Sequence, residues 1–230
     1  MKDFSEFESI SAVSFKNKDL LKQAFLHRSY LNEHPEETLG NNERLEFLGD
    51  AVLELVVTGY LFNRFPEKPE GELTAYRAAL VNTQSISEAA RRLSMNNFLL
   101  LSKGEARDTG KARDYILANT FESVIGAIYL DCGYEEAYEF IKNNLFPQLD
   151  EILENGSWQD AKSKFQERAQ EHEGITPVYN LLEENGPDHA KNFIVGVYLG
   201  DVLRGEGGGG SKQQAEQEAA LDALKKSGWE

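Results

Sequence analysis

The spacing of apolar residues changes part-way along this chain, and that change decides how it can fold. Up to residue 154 the hydrophobic segments repeat with a helical period. KDLLKQAFLHRSYLN (18–32) sets Leu20, Leu21, Ala24 and Phe25 at helical spacing, and ILANTFESVIGAIYLDCG (116–133) reads as a buried helix ending at Gly133. From residue 191 the period is two. In KNFIVGVYLG, Phe193, Val195, Val197 and Leu199 take one face and Ile194, Gly196 and Tyr198 the other. A helix-period pattern does not sit still as a strand. The spacing therefore predicts an all-α domain over residues 1–154, a linker at 155–158 and a small α+β domain over 159–228.

Within the first part, HPEETLGNN (34–42) is a polar loop, with Asn41 or Asn42 placed to cap a helix from Glu43 to about Phe62. FPEKPEG (65–71) is a turn, residues 72–93 form one long helix or two short ones, and 134–154 form a further amphipathic helix. LSKGEARDTGKARD (101–114) reads as a mobile surface loop. The second part predicts the order α-β-β-β-α. A helix over 162–174 closes at Gly174, strands follow at 177–184, 191–200 and 201–207, and a last helix opens at Ser211, where Gln214 completes a capping-box pattern.

Of the 230 residues, 40% are hydrophobic, enough for packed cores. The one cysteine, Cys132, rules out an internal disulfide. No apolar run approaches a membrane span, and the N-terminus has no signal-peptide core. The expectation is a cytoplasmic protein with no membrane association and no organic cofactor. The net charge of −15 argues, taken in bulk, against a polyanionic partner. Salt screens exposed charges beyond about 8 Å, so local patches and bound cations can override that sign.

ERLEFLGDAVLELVV (43–57) combines a core-like pattern with an unusual set of acids. At about 100° per residue, Glu43, Glu46 and Asp50 fall within roughly a 60° arc, while Leu45, Leu48, Val52 and Leu55 occupy core-like azimuths. The plain reading is a solvated helix face, and Glu54 fits it. Gly49 and Asp50 are poor mid-helix residues, together costing about 1–1.5 kcal/mol against alanine, and local rule-breaking of this kind gathers at functional sites. A second polar interruption, Asn119 and Glu122, stands on the helix over 116–133. If the two polar stripes face each other, Glu46, Asp50, Asn119 and Glu122 form one cluster of oxygens. Clustered carboxylates repel, and a hard divalent cation such as Mg2+ relieves that. One cysteine and four scattered histidines offer no zinc pattern.

NNERLEFLGDAVL (41–53) resembles the signature of the ribonuclease III family. LLKQAFLHRSYLNE and SKGEARDTGKARDYILANTFESVIGAIYLD are similar to its flanking blocks, and residues 160–227 resemble a double-stranded-RNA-binding domain, marked by GPDHAKNFIVGVYLG and GEGGGGSKQQAEQEAA. The resemblance implies an all-α endonuclease domain followed by an α-β-β-β-α RNA-binding domain. It further implies a homodimer that cuts both strands of duplex RNA, leaving 5′-phosphates and short 3′ overhangs, with ribosomal RNA precursors and other structured RNAs as substrates. By the same resemblance Glu46, Asp50, Asn119 and Glu122 bind Mg2+, with Mn2+ as a substitute. Asp50 and Glu122 are then the catalytic pair, and Glu43 lies nearer the substrate and subunit boundary. Asn119 stands where the family often carries Asp, which leaves a second reading: a duplex-RNA-binding protein with weak or no cleavage.

Residues 159–230 contain 13 acidic and 8 basic residues, so bulk charge does not account for RNA binding even there. The family pattern places Gln166 and Glu167 of the first helix in one minor groove, and Pro187 and His189 of the loop after the first strand in the next. Ser211, Lys212 and Gln213 then meet phosphates at the start of the last helix, where free N–H groups favour anions. Gln213 replaces a common lysine. The run Gly207–Gly210 is either backbone for close approach or a loose loop.

Overall fold

The computed structural model describes residues 2–156, 158, 160–186 and 191–229. The chain forms two compact units, Met1–Trp158 and Gln159–Glu230.

The first unit is helical: α1 (Phe4–Ser11), α2 (Lys18–Ala24), α3 (Arg28–Glu33), α4 (Glu43–Arg64), α5 (Glu70–Leu80), α6 (Thr83–Arg92), α7 (Lys111–Cys132), α8 (Tyr134–Asn144) and α9 (Pro147–Glu154). Two single segments expected from the sequence are split, and one left open between one helix and two is resolved as two. Residues 18–32 break at Phe25–His27, because His27 turns its Nδ1 to accept the Ser29 N–H and starts α3. Residues 72–93 form two helices, since Asn82 caps α6 by accepting the Ser85 N–H at 2.9 Å. Residues 134–154 break ahead of Pro147, which cannot continue a helix with its own N–H and instead begins α9. Among the described residues no helix is long and apolar enough to cross a membrane.

The two 22-residue helices α4 and α7 form the centre of this unit. Leu53, Val56 and Val57 of α4 and Leu117, Phe121, Val124, Ile125 and Ile128 of α7 are buried in one cluster, each worth about 1.5–3 kcal/mol of transfer from water. Leu45 and Val52 join this core, but Leu55, about 60° round the helix from Val52, is 61% exposed. Gly49 and Gly126 sit where the helices cross. A Cβ on Gly49 would lie 1.7 Å from the Glu122 carbonyl oxygen, and one on Gly126 would lie 2.2 Å from that of Leu45. The crossing is backbone against backbone, closer than any side chain permits.

Asn42 is at the N-cap position of α4 yet makes no side-chain cap. It is buried, its Nδ2 donates to the Ala24 carbonyl at 3.2 Å, and its carbonyl accepts the Ser123 hydroxyl at 3.3 Å. The residue ties α4 to α2 through its side chain and to α7 through its main-chain carbonyl, and Asn41 Oδ1 takes the Glu43 N–H instead. The loop expected over 101–114 ends at residue 110 and is anchored. The buried Arg113 donates from Nη1 to Asn96 Oδ1 and from Nη2 to the Glu105 and Asp108 carbonyls.

The second unit contains α10 (Ala161–Glu173), β1 (Val178–Asn185), β2 (Asn192–Leu199), β3 (Val202–Gly209) and α11 (Lys212–Ser227). The strands form an antiparallel sheet in the order β1-β2-β3, and the helices share its core through Phe165, Val195, Val197, Leu199 and Leu224. β3 runs to Gly209, past the expected end at 207, because its glycines are packing residues. A Cβ at Gly205 or Gly207 would strike the backbone of Ala219 at 2.5 and 2.1 Å. Glycine stripe and alanine helix let sheet and α11 nearly touch, so Gly207 is a packing residue within a strand rather than part of a loose loop. Gly174 closes α10 with φ 68°, a left-handed conformation that costs glycine little.

Candidate active site

The crossing of α4 and α7 sets where the polar side chains emerge. Glu46 and the adjacent pair Gly49 and Asp50 occupy successive turns of α4, and Asn119, Glu122 and Gly126 occupy successive turns of α7. With Gly49 pressed on the Glu122 backbone, Glu46 and Asp50 come within electrostatic reach of Glu122.

The electrostatics report the result. Burial, then the charges of Asp50, Glu46 and Glu54, push the Glu122 carboxyl up to about 8. Burial and the Glu43 charge, with a smaller effect from Asp50, also raise Glu46. Opposing them, the Asn119 carboxamide hydrogen-bonds to Glu46 and draws it back down. Glu46, Asn119 and Glu122 are half-buried and Asp50 is exposed. Glu54 is engaged by Arg77, whose Nε lies 3.0 Å from its carboxylate, in keeping with a solvated face. Glu43 is 3.8 Å from Arg28.

These residues offer three carboxylates and one carboxamide, an all-oxygen donor set suited to a hard divalent cation. Burial is the larger cause of the upward shift of Glu122, and the neighbouring carboxylates add to it. Among the described residues, no three His, Cys, Asp or Glu side chains are gathered closely enough to chelate an ion by themselves. The donor chemistry fits a divalent metal, and Glu46 and Asp50 lie near enough to Glu122 to raise its carboxyl, yet the three carboxylates do not close into a chelating set.

Beside this surface, one turn before Asn119 on α7, a cleft of about 630 Å3 is lined by His27, Arg28, Asn32, Glu105, Tyr115 and Ile116. His27 keeps its ring neutral more readily than usual because burial lowers its pKa. An open acidic surface suits a large substrate rather than an enclosed small molecule.

In the second unit Gln166 and Glu167 are exposed on α10. Ser211 caps α11, its Oγ accepting the Gln214 N–H at 3.2 Å, and the Gln214 side chain reaches back to the Gly210 N–H at 3.2 Å. Lys212 lies over the Phe193 ring at 5.8 Å, and Gln213 is exposed beside it. Pro187 and His189 lie outside the described residues.

Sequence reasoning missed the residues that build the site without touching it. Gly126, Asn42, Ser123 and Arg113 each make contacts across elements: Asn42 is legible in the sequence only as a possible cap, Ser123 only as a polar residue in an apolar helix, and Gly126 as a glycine inside that helix, spaced for a crossing.

A crossed-helix domain with an acidic surface, joined to an α-β-β-β-α unit, defines a nuclease coupled to an RNA-binding module. A family profile described as Ribonuclease-III-like matches residues 17–149, and one described as Double-stranded RNA binding motif matches residues 161–227. Ribonuclease 3 of Bacillus cereus (strain G9842) is 45% identical over 226 residues, 97% of this chain and 91% of that protein. Ribonuclease 3 of Oceanobacillus iheyensis is 43% identical over 222 residues, 96% and 97% of the two chains. A solved nuclease domain of ribonuclease III from Campylobacter jejuni, described for flexibility in a region involved in dimer formation, superposes with a TM-score of 0.56. It is 42% identical and covers 63% of this chain and 99% of its own. The chain belongs to the ribonuclease III family. It is an enzyme with a helical nuclease domain and a module whose partner is double-stranded RNA.

Proposed function

We propose that this chain is a Mg2+-dependent endoribonuclease that cuts both strands of duplex RNA, leaving 5′-phosphates and short 3′ overhangs. The observation that carries the reading is the close crossing of α4 and α7 at Gly49 and Gly126, where burial first, and then the charges of Asp50 and Glu46, raise the Glu122 carboxyl. Glu46, Asp50, Asn119 and Glu122 would hold the metal, with Mn2+ as a substitute. Bound there, a hard divalent cation supplies Lewis acidity at the scissile phosphate and lowers the pKa of water. Asp50 and Glu122 are the catalytic pair. Glu122 holds a proton on its carboxyl at neutral pH and releases it when positive charge arrives. Asn119 orients Glu46 through its carboxamide hydrogen bond.

Residues 1–154 form the nuclease domain in this reading, 155–158 the linker and 159–228 the RNA-binding domain. Gln166 and Glu167 enter one minor groove and His189 the next, while Ser211, Lys212 and Gln213 meet phosphates at the start of α11. The enzyme acts as a homodimer in the cytoplasm, on ribosomal RNA precursors and other structured RNAs. Phe47, Leu55 and Phe62, 82%, 61% and 69% exposed along one side of α4, support the dimer as an apolar stripe that water disfavours.

A second reading, a duplex-RNA binder that cuts poorly, draws on the neutral Asn119 and the separation of the carboxylates. Incubation of end-labelled duplex RNA with a Mg2+ series, followed by end mapping, separates the two. Staggered cuts bearing 5′-phosphates support the enzyme, and retained binding without cuts at any Mg2+ or Mn2+ concentration supports the binder.

A further inference from the structure

The sheet of the second unit has an open face that neither the nuclease chemistry nor the proposed RNA contacts use. Its other face is covered by α10 and α11, packed on Val195, Val197 and Leu199. Gly196 alternates with these residues and lies at the centre of the open face. A Cβ there would meet Leu203 Cδ1 at 2.9 Å, Leu182 Cδ1 at 3.1 Å and Tyr198 Cε2 at 3.1 Å. Apolar side chains from three strands thus close over one glycine. Val178, paired with Tyr198, extends the patch. Val178, Leu182 and Leu203 are 52%, 40% and 42% exposed. A contiguous exposed apolar patch of this kind marks an interaction surface.

The charges around it select the partner. Glu183 pairs with Ile194 and Glu206 with Gly196, which sets both acids on the same face. The three strands contain a single base, Arg204, and it is bound to Glu173 at 2.6 Å. Phosphate backbones are repelled by such a face, and so is an anionic bilayer. A second copy would set like charges against each other. The opposite face shows that this sheet accepts helices.

We propose that the open face docks a cationic amphipathic helix of a partner protein, with its apolar side on Leu182, Tyr198 and Leu203 and its bases beside Glu183 and Glu206. The proposal stands apart from the nuclease reading.

The test uses the full-length protein and a labelled Leu/Lys peptide of about four helical turns, compared with a permuted peptide of equal composition and no apolar face. Fluorescence anisotropy is read at physiological ionic strength. The amphipathic peptide is expected to bind at least about tenfold more tightly than the permuted one. Leu182→Ser with Leu203→Ser, and separately Glu206→Lys, should each weaken it by about tenfold while duplex-RNA binding is unchanged. Equal binding of the two peptides, or unaltered affinity in Glu206→Lys, overturns the proposal whether or not the double variant folds. Self-association of the parent that Glu206→Lys strengthens would assign the face to a second copy, and overturns it too.

Discussion

A methyl group on Gly49 would stand 1.7 Å from the carbonyl oxygen of Glu122. This contact explains a glycine that helix propensity disfavours, because it lets α4 and α7 touch and so brings Glu46 and Asp50 beside Glu122. Gly49→Ala must therefore push the helices apart. We expect a loss of about 3 kcal/mol in denaturant unfolding, with cleavage falling alongside. Gly71→Ala, on α5 with open space around it, should be neutral or stabilise by about 0.5 kcal/mol. Equal effects of the two would refute the crossing as the cause.

Asp50→Asn removes a charge from an exposed position that packs against nothing in the core. Cleavage of duplex RNA should be lost, a drop of at least about 10³-fold, while a gel shift with the same RNA is nearly unchanged. Surviving activity would remove Asp50 from the catalytic pair.

Glu122 gives the metal-free protein a pH dependence whose sign is set. Its carboxyl, at about 8 in the folded chain, lies above its ordinary value, so the native state binds the proton more tightly than the unfolded one. Its contribution to stability is present at low pH and is lost as pH rises from the ordinary carboxylate range to about 8. Glu122→Gln should raise the melting temperature of metal-free protein at pH 8 and flatten its profile across that window. A variant as steep as the parent would show that the strain resides elsewhere.

Asn119→Asp adds a carboxylate and loses the hydrogen bond to Glu46. Without metal it should destabilise by about 1 kcal/mol. With metal, cleavage should hold or rise, most visibly at low Mg2+, and calorimetry should record tighter binding of the ion. Weaker binding would mean that the carboxamide itself is the better donor.

Trp158 packs edge-on against Tyr76 at 4.6 Å and belongs with the first unit. Deleting 159–230 should leave a folded helical domain that binds RNA weakly. Deleting 158–230 should cost that domain a further ~1 kcal/mol, read from the two melting curves.

Much of the fold was legible because periodicity is a local property. The alternation of Phe193 to Leu199 and the capping pair Ser211–Gln214 follow from neighbours in sequence, and both stand as read. Segment breaks were less legible. Asn82 and His27 end one helix and start another through a single side-chain hydrogen bond, and such a bond competes with continued helix by little. Leu55 was placed in the core on azimuth alone, yet which side of α4 is covered depends on the packing of α7.

The order of helices and strands, the acids and their helical spacing, and the family were determined by the sequence alone, because each resides in runs of a dozen or so neighbouring residues. That Glu46 and Asp50 stand beside Glu122, that Asn119 hydrogen-bonds Glu46, and that Gly205 and Gly207 pack against α11 were decided only in three dimensions. Those relationships join residues some seventy positions apart, or a strand and the helix packed on its sheet. They depend on how closely two backbones can approach, which no local pattern encodes.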